Sequence, residues 1–166
     1  MLKRIINIGN KKKAEEDLEV YRNKHYESID IEFTNVHLLK LNVLIGHRFF
    51  SKNSLYVHSS TLWEVMQPVG QKGKHHYHGL EPHDIIDALS ILSDTSLIYE
   101  TNQNRYAVIV DGNEQYKNIS VVIELGAGLT NNRNAKINKL VTIFPKSNIE
   151  KKLLHLSNDK ILYKKE

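Results

Sequence analysis

The sequence predicts an α+β fold in which N-terminal helices pack on an antiparallel sheet of four or more strands. The clearest helix begins at Pro82, which suits a first helical turn, and Ile85, Ile86, Leu89 and Leu92 then form one apolar stripe. After it, the apolar pattern changes to strand periodicity in four successive runs separated by turn-rich segments. Helices followed by consecutive strands are typical of an α+β domain with helices on one sheet face.

The composition is that of a folded globular chain. It has 166 residues, of which 40% are hydrophobic and 25% are charged, enough for one ordinary domain with a buried core. It contains no Cys, which excludes disulfides, Cys zinc sites, iron–sulfur clusters and thiolate nucleophiles. Any catalysis must therefore use oxygen or nitrogen groups.

No segment of the sequence is typical of a signal peptide or a membrane span. The apolar run near the start, residues 5–8, is followed by Asn10 and by the three lysines at 11–13, so it is too short for a signal-peptide core. No later run is long enough to cross a membrane. We therefore expect a soluble cytoplasmic protein without a membrane partner.

Positive charge is concentrated toward the C-terminal end. The chain has a net charge of +4, and residues 131–166 hold nine Lys or Arg against three Asp or Glu, so they carry +6 and residues 1–130 carry about −2. This excess favours a polyanion such as nucleic acid, because neutralised phosphates release counterions. The alternative is a solvated basic segment with no ligand.

The N-terminal third contains one predictable helix. Residues 11–28 combine helical spacing with charged neighbours, and the apolar positions are Ala14, Leu18, Tyr21 and His25. Residues 38–45 have apolar residues at mixed spacing that favour neither helix nor strand, and Gly46 ends this run.

Residues Ser54–His58 are predicted to form a short strand. Thr61 and Glu64 have capping-box spacing, which predicts a helix over 61–67. Its apolar face is formed by Leu62, Val65 and Met66. A loop interrupted by Pro and Gly follows, before the Pro82 helix.

The C-terminal half is predicted to be rich in β-structure. The four strands are Leu97–Glu100, Tyr106–Val110, Ile119–Leu125 and Leu140–Phe144. Ser147 and Glu150 again have capping-box spacing and predict a short helix. Residues Ile161–Tyr163 are expected to form an edge strand.

The loop before Pro82 holds a cluster of histidines, His75, His76 and His78. A histidine can act as general acid or base near pH 7. A metal site is disfavoured, because the nearest carboxylate, Glu81, begins the next helix. Solvent-exposed histidines with no function are the remaining interpretation.

Two charged residues near the strands are further candidates. Alternation puts Glu124 on the face opposite Ile123 and Leu125, toward solvent or a ligand. Lys146 is expected in the loop after Pro145, where its ammonium could neutralise a phosphate. The alternative for both is an ordinary exposed charge.

The last predicted strand also carries polar candidates. Alternation places Leu140, Thr142 and Phe144 on one face. Thr142 would then share its face with Asn138.

Several segments between Leu55 and Tyr163 occur in a characteristic order. They are a Tyr77–His78 step before a helix start (HYHGLEPHDIIDAL), Arg105 leading into YAVIV, the strand VVIEL, the run NKLVTIFPK at 138–146, and the closing ILY. Together they resemble the nuclease-like domains of the Barnase–EndoU–colicin–RelE superfamily, especially its phage-associated branch. The resemblance covers about two-thirds of the chain and implies helices followed by a four-stranded antiparallel sheet.

The resemblance implies metal-independent cleavage of RNA, in which the ribose 2′-hydroxyl attacks the adjacent phosphate and leaves a cyclic phosphate end. No cofactor is implied. His78 matches the family's histidine before the helix and would be the acid or base. Thr142 would hydrogen-bond the phosphate, and Lys146 would stabilise developing negative charge. Asn138 matches the family's Asn four residues before Thr142, and Glu124 is expected nearby; both belong to the predicted catalytic set.

The implied partner is RNA, with tRNA as one candidate. The residues expected to contact it are Arg105, Tyr77, Lys139, Lys151 and Lys152. An endoribonuclease of this kind would act as a toxin or as an effector of a phage or mobile element, with an immunity protein or antitoxin as a second partner.

The sequence departs from the family pattern at Phe144, where a Tyr is expected, and at Pro145, where a Gly is expected. Because of these departures, a second interpretation is a catalytically silent module that binds RNA or protein with the same fold. A third interpretation is a structural phage protein. Residues 54–166 are predicted to form the nuclease domain. Residues 1–53 lie outside the resemblance and are predicted to be an accessory segment with a helix and a candidate strand.

Overall fold

The computed structural model describes residues 3–23, 28–113 and 115–166, and in these ranges it contains one mixed eight-stranded β-sheet and five α-helices. The strands are β1 (Ile5–Asn7), β2 (Asp30–Thr34), β3 (Ser54–His58), β4 (Leu97–Asn102), β5 (Arg105–Asp111), β6 (Asn118–Leu129), β7 (Asn132–Lys146) and β8 (Ile161–Lys164). The helices are α1 (Lys11–Glu19), α2 (Leu39–Ile45), α3 (Ser59–Met66), α4 (Pro82–Ser90) and α5 (Ile149–His155). The predicted α+β class is confirmed.

The strand order is β1-β2-β3-β7-β6-β5-β4-β8. Within the described ranges, five of the seven neighbouring pairs are antiparallel, including the predicted succession from β4 to β7 and the β8 edge strand. The pairs β1–β2 and β3–β7 are parallel, so the expectation of a wholly antiparallel sheet is wrong there. Parallel neighbours need a crossover connection, and α1 lies in the connection from β1 to β2.

The N-terminal region contains more strand than its sequence pattern suggested. The apolar run at residues 5–8 was predicted only to be too short for a signal-peptide core, yet a strand, β1, begins at Ile5. In β2, Ile31 and Phe33 are fully buried between partly exposed neighbours, a period-two pattern that was present in the sequence. Both strands join the same sheet as the C-terminal strands. The division into residues 1–53 and 54–166 stays a prediction.

The first helix, α1, is shorter than the range 11–28 that the sequence pattern predicted. α1 is followed by a 3₁₀ turn at Val20–Asn23, and His25 lies outside the described residues. The other predicted apolar positions are buried: Ala14, Leu18 and Tyr21. None of the helices in the described ranges is long and apolar enough to cross a membrane.

The ambiguous stretch 38–45 is largely helical and forms α2. Gly46 ends it in the left-handed conformation (φ 80°), as a C-terminal glycine often does. α3 begins two residues before the predicted start, because the His58 side chain accepts a hydrogen bond from the Ser60 N–H. The prediction that Thr61 and Glu64 form a capping box at the start of α3 is therefore wrong.

α4 begins at Pro82 as predicted. A reciprocal capping box between Glu81 and Asp84 closes its first turn. The cap of α5 lies one residue later than predicted, because the Asn148 side chain rather than that of Ser147 accepts a hydrogen bond from the Lys151 N–H (3.1 Å).

The two faces of the sheet carry separate apolar clusters. Helices α1–α4 pack on one face, called here the helical face. On the other, the α5 face, apolar residues of α5 cover Leu97, Tyr99, Ala107, Ile109 and Val122. The expectation that helices pack on one face holds for α1–α4 and is wrong for α5. The reason is that β5 carries apolar side chains on both faces of the sheet, and both sets must be buried by other elements.

An irregularity in β7 changes which residues share a face. Val141 is an extra residue in the pairing with β6, and such a bulge reverses the alternation along a strand. Thr142 lies opposite Val122 of the α5 face, whereas Leu140 is buried in the cluster of the helical face. The expectation that Leu140 and Thr142 share a face is therefore wrong, and alternation no longer relates Asn138 to Thr142.

Candidate active site

Among the described residues, no strand pairs with the end of β7 on its β3 side. β3 ends at His58 and is in register with β7 only at the Tyr56–Lys139 pair. Pro145 lies inside β7 rather than after it, which such an edge tolerates because proline has no N–H to donate. Lys146, expected in a loop, is instead the last residue of β7 and lies opposite Asn118.

The Phe144 ring brings together two of the predicted site residues. The His78 ring centroid lies 5.6 Å from the Phe144 centroid, and the Lys146 Nζ lies 5.9 Å from it. His78 belongs to the loop between α3 and α4, and Lys146 to β7. Tertiary folding thus places an imidazole and an ammonium around one aromatic ring.

A cleft of about 380 Å³ opens between the end of β7 and α5. Its lining includes Phe144, Lys146, Lys151, Lys152 and His155. Three of the predicted lysines therefore share one site. His155 was not predicted as a site residue. Its position one turn after Lys151 and Lys152 in a predicted helix could have indicated it, because residues three or four apart lie on the same side of a helix.

The charges of this cleft have one sign. Burial, together with the nearby charge of Lys152, lowers the pKa of the Lys146 ammonium. Within the described ranges, no ion pair includes Lys146, Lys151 or Lys152. The cleft is therefore suited to an anionic ligand.

His78 is held in its neutral form by its surroundings. Burial lowers the pKa of its imidazole below the ordinary value of 6.5, and the neighbouring His76 lowers it further. A neutral imidazole at pH 7 can accept a proton.

Thr142 lies on the same strand as Phe144, two residues earlier and on the same sheet face. Its Oγ1 is buried and has no hydrogen-bond partner among the described residues, and the same is true of the Ser120 Oγ on β6. The Thr142 hydroxyl does not open into the cleft in this structure.

Three other predicted residues, Lys139, Glu124 and Arg105, form a separate cross-strand arrangement with Glu32 and Tyr56, which were not predicted; it is called here the polar row. It runs over the α5 face through Glu32, Tyr56, Lys139, Glu124 and Arg105, each paired with the next across neighbouring strands. The Arg105 Nε donates to the Glu124 Oε1 at 2.7 Å. Burial and the adjacent Glu32 raise the pKa of the Tyr56 hydroxyl.

The polar row and the cleft lie apart. Lys139 and Lys146 are seven residues apart on β7, which corresponds to about 20 Å at the rise of a β-strand. The predicted residues are thus divided between two places.

His78, Asn138 and Tyr77 are not among the described residues that line the cleft, and His78 adjoins it through its contact with the Phe144 ring. Asn138 lines a small pocket of about 60 Å³ near Glu32 and Tyr56. Tyr77 packs edge-on against Trp63 (centroids 5.5 Å apart), with the Lys74 ammonium 5.7 Å from its ring.

No protein-family model matches this chain. No curated protein and no solved structure matches it either. The chemistry of the cleft is therefore argued from its own residues.

Proposed function

We propose that this protein is a metal-independent endoribonuclease that cleaves RNA in the cleft beside Phe144. One observation carries the proposal: the His78 ring centroid lies 5.6 Å and the Lys146 Nζ 5.9 Å from the centroid of Phe144, and Phe144 and Lys146 line a cleft together with Lys151, Lys152 and His155. Acid–base groups next to fixed cations are what phosphate transesterification requires.

In the proposed reaction, neutral His78 accepts the proton of the ribose 2′-hydroxyl. The 2′-oxygen then bonds to the adjacent phosphorus while the bond from phosphorus to the 5′-oxygen breaks. His155, in its protonated form, gives a proton to the departing 5′-oxygen. The products are a 2′,3′-cyclic phosphate and a free 5′-hydroxyl, and Lys146 stabilises the extra negative charge that develops on the phosphoryl oxygens.

The other residues of the cleft suit a single-stranded RNA substrate. Lys151 and Lys152 follow the strand end on α5 and would contact neighbouring phosphates. The Phe144 ring, which is half-buried at the cleft wall, offers a face on which a base can stack. In this proposal the distant polar row has a structural role.

A second candidate is a module that binds RNA at this cleft without cleaving it. Two features of β7 favour it. Residue 144 is Phe and carries no hydroxyl, and the hydroxyl oxygen of Thr142 is buried. In the described residues, β7 therefore offers no side-chain hydroxyl to a phosphate in the cleft.

Incubation of the protein with total RNA and with tRNA in excess EDTA, followed by analysis of the fragment ends, tests both candidates. The endoribonuclease proposal predicts fragments with 2′,3′-cyclic phosphate ends. Loss of cleavage in EDTA with rescue by a divalent ion would contradict it. Salt-dependent binding without cleavage would support the silent module, and neither binding nor cleavage would contradict both.

A further inference from the structure

A second groove lies beside α2, away from the cleft. Its volume is about 590 Å³, within the range of ligand-binding clefts. The side chains that define it are Leu39, Asn42, Val43, His47, Arg48 and Phe50. We call it the α2 groove; it shares no lining residue with the cleft.

The exposed face of α2 is apolar. α2 buries Leu41 in the helical-face cluster, so its core-facing side is already covered. Leu39 and Val43, one turn apart on another side, remain 40% and 81% exposed. Single exposed aliphatic residues are normal, whereas Leu39 and Val43 lie together on the wall of a concave surface, where a ligand can cover both.

The wall opposite α2 is held in place by a two-point hydrogen bond. The Asn42 side chain donates to the Phe50 carbonyl (2.7 Å) and accepts from the Phe50 N–H (2.9 Å). The Asn53 side chain also accepts from the Leu39 N–H at the start of the helix (2.9 Å). The groove is therefore preformed, which reduces the ordering cost of binding.

The charge of this region has one sign. Residues 33–63 contain no Asp or Glu, and their positive side chains are Lys40, Arg48 and Lys52. Arg48 is exposed and lines the groove, and no ion pair within the described ranges includes it. A ligand that complements this surface is both aliphatic and acidic.

We propose that the α2 groove binds an acidic segment of a partner protein, with aliphatic side chains against Leu39 and Val43 and a carboxylate on Arg48. Single-stranded RNA is held by stacking of its bases on aromatic or arginine planes. RNA fits less well, because the exposed large hydrophobic side chains of the groove, Leu39 and Val43, are aliphatic, although Arg48 offers an exposed plane of this kind.

The test is a selection of displayed random peptides on the immobilised full-length protein, with counter-selection on the Val43→Asp variant. Both Val43 and Arg48 are exposed, so these substitutions should leave the fold intact, which circular dichroism checks. We expect the selected sequences to combine acidic and aliphatic residues. A selected peptide should bind Arg48→Glu at least about tenfold more weakly, and its Glu→Lys counterpart should prefer Arg48→Glu to the wild-type protein.

Several outcomes would overturn this proposal. Selected peptides without acidic residues, or no enrichment over the Val43→Asp protein, would do so. Displacement of the peptide by a short oligoribonucleotide on the wild-type protein would assign the groove to nucleic acid. Self-association that Val43→Asp abolishes would assign it to a second copy of this chain.

Discussion

The cleft and the polar row lie on the same face of the sheet and contain similar residue types, but their charges are arranged in opposite ways. In the polar row, Glu124 lies between Arg105 and Lys139 on the neighbouring strands. In the cleft, Lys146 and Lys152 repel each other, and burial adds to the cost of the Lys146 charge. In the row, Arg105 and Glu124 form an ion pair, whereas the described ion pairs include none of the cleft lysines, so the cleft favours an anion from outside.

This difference separates residues that a sequence pattern treats alike. By residue type and by the resemblance, Arg105, Glu124 and Lys139 were predicted as site residues together with Lys146. An ion pair that is already formed competes with a ligand for both partners, while an unpaired, partly desolvated cation gains by binding an anion.

The largest effect is expected at His78. His78→Gln should reduce single-turnover RNA cleavage by about 10²- to 10⁴-fold, the usual contribution of a general base. His76→Gln is the matched control and should retain cleavage. Because His76 lowers the pKa of His78, its removal should move the acid-side loss of activity to higher pH. Equal cleavage by wild-type and His78→Gln proteins would exclude His78 as the base.

Paired lysine substitutions compare the two regions directly. Lys146→Ala should lower the cleavage rate at saturating RNA by about two to three orders of magnitude, since it removes a charge aimed at the transition state. Lys139→Ala, on the same strand, should change it little. A larger loss for Lys139→Ala would move the reaction to the polar row.

Thr142→Val tests whether the hydroxyl between the two regions has a role. Its Oγ1 is buried without a partner among the described residues, so its replacement by a methyl group should raise the free energy of unfolding by about 1 kcal/mol. Chemical denaturation measures this change. Loss of stability together with loss of cleavage would instead restore the predicted phosphate contact of Thr142.

The smallest effects are opposite changes in stability. Glu124→Gln should lower the free energy of unfolding by up to about 1 kcal/mol, since it weakens a partly exposed ion pair. Lys146→Met should raise the melting temperature at pH 7, because a lowered pKa means that folding disfavours the charged form.

The lowered pKa of Lys146 also determines how the stability of the protein changes with pH. The unfolded chain binds more protons than the folded chain between the lowered pKa of Lys146 and its ordinary value of 10.5. Stability of the wild-type protein should therefore increase with pH in that window, and Lys146→Met should lack this increase. A lower melting temperature for Lys146→Met would show that Lys146 is satisfied in the folded state and that the cleft resembles the row.

Much of the local structure could be predicted from short windows of sequence. The start of α4 at Pro82, the end of α2 at Gly46 and the strand Ser54–His58 all follow from residues within one or two turns of each other. Strand β1 was missed because three residues are too few for periodicity to stand out. Strand β2 was missed although its five residues alternate as those of β3 do.

The candidate site was only partly predictable. His78, Lys146, Lys151 and Lys152 could be selected by residue type and by resemblance, and the structure brings them to one end of β7. His155 was overlooked among the residues of a short basic helix. The resemblance could not separate the members of the polar row from those of the cleft, because all lie on or beside the same strands.

The sequence by itself determined the α+β class, the succession of β4 to β7 and the concentration of basic residues near the C-terminus. These properties depend on composition and on periodicity within each segment. Only the tertiary structure decided the parallel pairing of β3 with β7, the bulge at Val141 and the contact of His78 with Phe144. Each of these joins segments far apart in the chain or changes strand register by one residue. The physical reason is that strand pairing and burial are set by the competition of all segments for one core, which no local pattern contains.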